Sequence, residues 1–105
     1  MSMSDLNNQF EESRDSFTAD ADFPLPPEKN VIFYNDDFTT MDFVVQVLRS
    51  VFNKSEENAT FLMNKVHQDG SAVIGTYTYD IAVSRANLAK ATARKNGFPL
   101  RVEVE

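Results

Sequence analysis

Two polar features of the sequence are candidates for chemistry: the run Asn35-Asp36-Asp37 and the chain's one histidine, His67. An amide oxygen, a carboxylate and a neutral imidazole nitrogen are all hydrogen-bond acceptors. If the acceptors of Asn35, Asp36 and His67 converge, they suit a cationic donor. The free α-amino group of a peptide is such a donor, because it is largely protonated at neutral pH. These residues therefore predict a site for an ammonium group.

Large apolar residues could flank these acceptors. They come from two predicted helices and from the last predicted strand: Met41, Val44, Met63, Val66 and Leu100. Methionine suits the lining of a hole because its unbranched thioether adapts to guests of different shapes. Acceptors beside an apolar hole suit a peptide N-terminus whose first side chain is large and apolar. Plain core packing explains the same apolar positions and stays open as an alternative.

Simpler roles are also open for the polar residues. Asn and Asp readily bond to nearby backbone amides at a helix entry, and a lone histidine is more often structural than a ligand or base. A metal-dependent hydrolase built on Asp36, Asp37 and His67 is a further alternative, but zinc normally needs three or four converging ligands. The chain has no Gly-x-Ser-x-Gly elbow and no phosphate-binding glycine loop. We therefore expect no catalysis, no metal and no cofactor.

Composition excludes several classes of partner. The 105 residues carry a net charge of −6, of which residues 1–30 contribute −5 (seven acids, two bases) and residues 31–105 contribute −1 (nine acids, eight bases). Binding to nucleic acid or to an anionic membrane would need clustered basic residues. The chain has no Cys, no apolar run of about 20 residues and no basic leader. We expect a protein of the bacterial cytosol.

Periodicity and punctuation predict a single domain with the order β-α-α-β-α-β. Predicted strands cover 31–34, 72–77 and 100–105, and predicted helices run from Thr39 as N-cap, from Ser55 to Gly70, and from Thr78 to about 96. We expect an α+β fold with three helices packed on a three-stranded, mostly antiparallel sheet. In the last helix Ile81 and four alanines should face inward. We expect residues 1–28 to form a flexible acidic arm with a Pro-rich linker, and residues 29–105 to form the folded domain.

Three segments resemble the ClpS family: 31–44 (VIFYNDDFTTMDFV), 59–63 (ATFLM) and 66–70 (VHQDG). The Asn-Asp-Asp turn and the His-x-x-Gly helix end, at this separation, make the resemblance specific, and it extends over residues 29 to 105. ClpS proteins are small bacterial adaptors of the N-degron pathway. The resemblance implies that the chain binds proteins with N-terminal Leu, Phe, Tyr or Trp and delivers them to the ClpA unfoldase of the ClpAP protease, without catalysis.

The resemblance also implies roles for particular residues. Asn35, Asp36 and His67 should receive the α-amino group of the degron. The pocket and its gate should be formed by Asp37, Thr39, Met41, Val44, Met63, Val66 and Leu100, with Met41 at the mouth excluding β-branched first residues. On the last helix, Asp80 and Arg85 should contact the N-domain of the unfoldase. Compared with the pattern that the resemblance implies, the chain departs at Phe38, Thr40 and Val83, and the first two of these should flank the gate.

A second class of function stays open from the residues alone. The same surface could be only the edge of the core in a general protein-interaction scaffold that resembles the C-terminal domain of the ribosomal stalk. Function would then lie on the last helix or on the acidic arm. Binding of a Phe-initiated peptide, but not of its acetylated form, would distinguish the adaptor from the scaffold.

Overall fold

The structure is a computed structural model that describes residues 25–105. Within that part of the chain, the order of elements is β-α-α-β-α-β. In sequence they are β1 (Glu28–Tyr34), α1 (Met41–Ser50), α2 (Glu56–Asp69), β2 (Ser71–Thr78), α3 (Tyr79–Lys95) and β3 (Arg101–Val104). This order confirms the predicted α+β class. Most of the predicted arm, residues 1–24, lies outside the described residues.

The sheet has the order β2-β1-β3, and both pairings are antiparallel. Val31 and Phe33 of the central strand are fully buried, because alternate side chains of a strand point to the same face and this face meets the helices. Phe33 is paired with Ala72 on one side and with Val102 on the other, and both partners are buried as well. The helices therefore cover one face of the sheet, and the chain leaves the end of β1 through a loop that leads to α1.

Helix α1 begins one residue later than the sequence predicted. Its N-cap is Thr40, which has an extended backbone (φ −76°, ψ 152°). Thr39 was expected at this position. The Thr40 Oγ1 atom accepts a hydrogen bond of 3.2 Å from the Phe43 N–H. The prediction of Thr39 as N-cap was wrong because the Thr39 side chain bonds elsewhere, as described below.

Helix α2 begins and ends as predicted. The Ser55 side chain accepts a hydrogen bond of 3.1 Å from the Asn58 N–H, which satisfies a free amide of the first turn. Gly70 ends the helix in the left-handed conformation, at φ 92°. Ala59 and Val66 are the buried residues of this helix. Both ends of α2 are thus fixed by local sequence, which places its last turn beside the chain leaving β1.

Helix α3 packs through small side chains. Four alanines, spaced three or four residues apart, form its buried face: Ala82, Ala86, Ala89 and Ala93. Ile81 was predicted to face inward, but it is 45% exposed, since it precedes this stripe by one residue and is turned about 100° away from it. Thr78 occupies the N-cap position without a capping hydrogen bond from its side chain. Within residues 25–105, no helix has both the length and the apolar character needed to cross a membrane.

Candidate functional site

A hollow of about 360 Å³ lies between the loop after β1, the start of α1 and the last turns of α2. Nine of the ten residues predicted for the degron site line it: Asn35, Asp36, Asp37, Thr39, Met41, Val44, Met63, Val66 and His67. The tenth, Leu100, is 1% exposed and is not among the lining residues. The fold thus brings residues from two separate segments of the sequence to one cavity.

One backbone hydrogen bond joins the two segments. The N–H of Asn35 donates to the carbonyl oxygen of Gly70 at 2.9 Å. Asn35 follows the last residue of β1, and Gly70 is the cap that ends α2 three residues after His67. This bond therefore sets Asn35 and His67 on the same rim of the hollow.

The carboxylate of Asp36 holds the loop in shape. Its Oδ1 accepts hydrogen bonds of 2.7 Å from the backbone N–H groups of Phe38 and Thr39, and its Oδ2 accepts one of 2.7 Å from the Thr39 hydroxyl. Partial burial alone would raise the pKa of Asp36, but these hydrogen bonds and the positive charge of Arg94 outweigh burial and lower it below the ordinary value. Asp36 is therefore a carboxylate at neutral pH, and the Thr39 side chain is committed to it.

The acceptors left for a ligand are mainly those of Asn35 and His67. A carboxylate has about four lone-pair sites, and the loop uses three of those on Asp36. Among the described residues, neither the Asn35 amide nor the His67 ring has a side-chain hydrogen-bond partner, and both residues are exposed. The rim therefore offers an amide oxygen and an imidazole nitrogen beside a fixed negative charge.

The walls of the hollow are apolar. Val44 and Val66 are 6% and 3% exposed and form its inner part, while Met63 is half-buried. Met41 is 46% exposed, which places it at the outer edge. Phe38 was expected to flank the gate but was not counted among the site residues; it lines the hollow and is 75% exposed.

Thr40 also lines the hollow. Phe38 and Thr40 were expected only to flank the gate, and the signal that could have added them to the site is their position in the turn, next to residues that were predicted. A loop bent around one carboxylate exposes neighbouring positions to the same space. Phe38 and Thr40, where the sequence was expected to depart from the family pattern, thus lie on the cavity itself.

The residues predicted for the unfoldase contact lie on a different surface. Asp80 is exposed in the first turn of α3, and Arg85 is half-buried in the same helix. The Arg85 Nη1 atom donates to the Val51 carbonyl oxygen at 3.4 Å, and the guanidinium carbon lies 5.4 Å from the centre of the Tyr77 ring. Neither Asp80 nor Arg85 lines the hollow.

A metal site on Asp36, Asp37 and His67 is the remaining alternative. These side chains share one hollow. In the part of the chain that the structure describes, however, no three side chains of the His, Cys, Asp or Glu type come close enough together to hold a metal ion.

Comparison with known proteins assigns this fold to a class, the ATP-dependent Clp protease adaptors. The model of the family described as "ATP-dependent Clp protease adaptor protein ClpS" matches residues 24–103. The chain therefore belongs to the ClpS family.

Individual relatives agree with this assignment. The chain is 52% identical to the ClpS adaptor of Treponema denticola over 83 residues, which cover 79% of this chain and 82% of the relative. It is 39% identical to that of Desulforapulum autotrophicum over 100 residues, which cover 95% and 96%. Among solved structures it is similar to Agrobacterium tumefaciens ClpS2 bound to L-phenylalaninamide, with a TM-score of 0.75 and 37% identity over 77% of this chain and 98% of that one.

Proposed function

We propose that this adaptor binds the first residue of proteins that begin with Leu, Phe, Tyr or Trp, and delivers them to a ClpA-type unfoldase of the ClpAP protease. The observation that carries the proposal is the combination of two features in one hollow: free acceptors on the rim and apolar walls behind them. The protein itself performs no chemical step. The adaptor selects, and the protease that it serves cleaves.

The α-amino group of the degron binds at the rim. Asn35 Oδ1 and an unprotonated nitrogen of His67 accept two of its three N–H groups. Asp36 supplies the negative charge that an ammonium group favours, and its remaining lone pair accepts directly or through a water molecule. The bound ligand of Agrobacterium tumefaciens ClpS2 supports this arrangement, because L-phenylalaninamide has a free α-amino group next to a benzyl side chain.

The first side chain of the degron occupies the apolar part of the hollow. A volume of about 360 Å³ is near the lower end of the range for small-molecule pockets, roughly 300–1,000 Å³, and so suits one residue rather than a longer segment. Val44, Met63 and Val66 contact the guest, and buried Leu100 supports the wall from behind. Met41 at the mouth clashes with side chains that branch at Cβ.

Delivery uses the surface around Asp80 and Arg85. These residues contact the N-domain of the unfoldase with one negative and one positive charge. Because they do not line the hollow, one adaptor molecule can hold its substrate and the unfoldase at the same time.

We place the adaptor in the bacterial cytosol, and its charge supports partners other than nucleic acid or an anionic membrane. The domain after residue 30 has a net charge of −1, and the segment before it has a net charge of −5. Neither part carries the basic cluster that phosphate groups attract. The partners are therefore the substrate N-terminus and the unfoldase.

The test is a titration of short peptides that differ only at the first residue. Leu, Phe, Tyr and Trp should bind, Ile, Val and Ala should bind at least about tenfold more weakly, and acetylation of the amine should abolish binding, because it leaves desolvated acceptors unpaired. His67→Ala should weaken binding of the Phe peptide, whereas Asn64→Ala, on an exposed position of the same helix, should not. Equal binding of free and acetylated peptides would favour the scaffold alternative and overturn the proposal.

A further inference from the structure

Gly75 in β2 makes room for an aromatic ring. A Cβ atom at this position would lie 2.6 Å from the Tyr77 hydroxyl oxygen and 2.8 Å from its Cζ, closer than real Cβ contacts allow. Gly75 is not among the glycines with positive φ, which are Gly70 and Gly97. The residue is therefore needed for the space that it leaves, not for its backbone conformation.

The Tyr77 ring is also fixed from the core side. Its centre lies 6.4 Å from that of Phe52, which is 3% exposed. Phe52 in turn makes an edge-to-face contact with the fully buried Phe33, at 5.6 Å between ring centres. Such contacts are within the range of favourable aromatic pairs. Tyr77 is thus the outer member of a row of three rings that begins in the core.

Arg85 lies at the outer end of this row. Its guanidinium carbon is 5.4 Å from the centre of the Tyr77 ring, within the distance at which a cation is attracted to an aromatic face. The Nη1 atom also donates to the Val51 carbonyl oxygen, the C-cap of α1, at 3.4 Å. A guanidinium has five N–H donors, so most remain available for a carboxylate or carbonyl of a partner. The side chain is held in advance, and it loses less conformational freedom when the partner binds.

We propose that Tyr77 is a positioning residue for the unfoldase contact. Its ring packs against Gly75, which has no Cβ atom, and it orients Arg85 toward an acidic or carbonyl acceptor of the unfoldase N-domain. This inference rests on the proposed function, since it assumes that Arg85 contacts the unfoldase. It adds two residues, Gly75 and Tyr77, that act through Arg85 and touch no substrate.

The first experiment measures binding of the full chain to the isolated unfoldase N-domain. Tyr77→Leu should weaken the affinity about two- to fivefold, as expected for loss of a cation–π contact, and Tyr77→Phe should leave it within about twofold because the ring remains. In an Arg85→Ala background, Tyr77→Leu should have no further effect. A matched control is Tyr34→Leu, which removes another Tyr–Arg stack, to Arg101 at 4.2 Å, and should not change the affinity.

Gly75→Ala provides a second, independent test. The added methyl group displaces the Tyr77 ring, so Gly75→Ala should weaken unfoldase binding as much as Tyr77→Leu does, and the double variant should be no weaker than either. Binding of a Phe-initiated peptide should stay unchanged in all these variants, which also shows that they are folded. The inference is overturned if Tyr77→Leu leaves the affinity unchanged, or weakens it equally with and without Arg85.

A readout without the unfoldase separates the two proposals. In the free protein, the Arg85 side-chain protons should show an upfield ring-current shift in NMR spectra that Tyr77→Leu removes and Tyr77→Phe keeps. If this shift is present but Arg85→Ala does not weaken unfoldase binding, the unfoldase contact fails and the positioning of Arg85 by Tyr77 stands. If the shift is absent, the positioning itself is wrong, whatever the affinity.

Discussion

The rim of the hollow and the outer face of α3 hold their polar groups in different ways. At the rim, one carboxylate organises a loop through three hydrogen bonds and leaves neighbouring acceptors unpaired around a concave space. On α3, the half-buried Arg85 lies against an aromatic ring and a helix carbonyl. In the proposed function, the rim selects through unpaired acceptors and an unfilled space, and the helix face presents a charge that is already oriented. Changes to one region should therefore leave the other intact.

Loss of the Asp36 carboxylate should produce the largest separation between the two regions. Asp36→Ala removes the acceptor of three hydrogen bonds, and bonds to a charged group are worth about 1.5 kcal/mol or more each. Because the loop then loses its shape, affinity for a Phe-initiated peptide should fall about 100-fold. Unfoldase binding should stay the same, as measured by titration of the N-domain.

The matched control for this change is Asp42→Ala. Asp42 is an exposed acid in the first turn of α1, so the variant changes the net charge equally but removes no bond of the loop. Peptide affinity should change less than about fivefold, since an exposed charge near a helix terminus is worth less than about 1 kcal/mol. A comparable loss in both variants would mean that overall negative charge, and not the Asp36 loop, attracts the peptide.

Met41 should control which first residues enter. Met41→Ala removes a half-exposed side chain from the mouth of the hollow. Peptides that begin with Ile or Val should then bind about tenfold more tightly than they do to the unchanged protein, and Phe peptides should change little. The measurement is the ratio of the two affinities. An unchanged ratio would show that discrimination against β-branched residues comes from the inner walls and not from the mouth.

Sequence reasoning succeeded where local rules decide the structure. The Ser55 cap and the Gly70 terminator of α2 follow from side-chain capping and from the αL conformation of glycine, and both are confirmed. The prediction of Thr39 as N-cap was wrong, because the neighbouring Thr40 is an equally good cap. What separates them is the carboxylate of Asp36, which takes the Thr39 hydroxyl. That bond depends on how the loop bends in three dimensions.

The residues around the hollow were predictable from their types, but their arrangement and the depth of each side chain were not. Convergence of Asn35 and His67 depends on one backbone bond between residues that are distant in sequence. Leu100 is 1% exposed and does not line the hollow, and alternation along a strand alone does not distinguish a residue that lines a cavity from one buried in the core. The packing of the Tyr77 ring against Gly75 likewise depends on the three-dimensional structure, and no sequence pattern predicts it.

The contribution of Asp36 to stability should change with pH only in acid. Its pKa is lowered in the folded state, so its contribution to stability is complete above the ordinary pKa of an aspartate and is lost as the pH falls through the lowered value. The difference in unfolding free energy between the unchanged protein and Asp36→Asn should therefore be constant near neutrality and shrink in strong acid. Urea denaturation at several pH values measures it, and a difference that grows in acid would contradict the sign of the shift.

The smallest effects should come from the two glycines that end α2 and α3, at φ 92° for Gly70 and φ 82° for Gly97. A Cβ atom at either position would have no other atom within 4 Å, so an alanine there would cause no steric clash. It would carry only the cost of the left-handed backbone, and the free energy of unfolding should fall by about 1–2 kcal/mol. Urea denaturation should show this as a lower midpoint with an unchanged slope. Asparagine at position 70 should cost less, because it tolerates this conformation. Only Gly70→Ala should also weaken peptide binding, by about twofold, since the Gly70 carbonyl oxygen holds Asn35 in place. If Gly97→Ala weakened peptide binding equally, the rim would depend on the end of α3 as much as on its own hydrogen bond to α2.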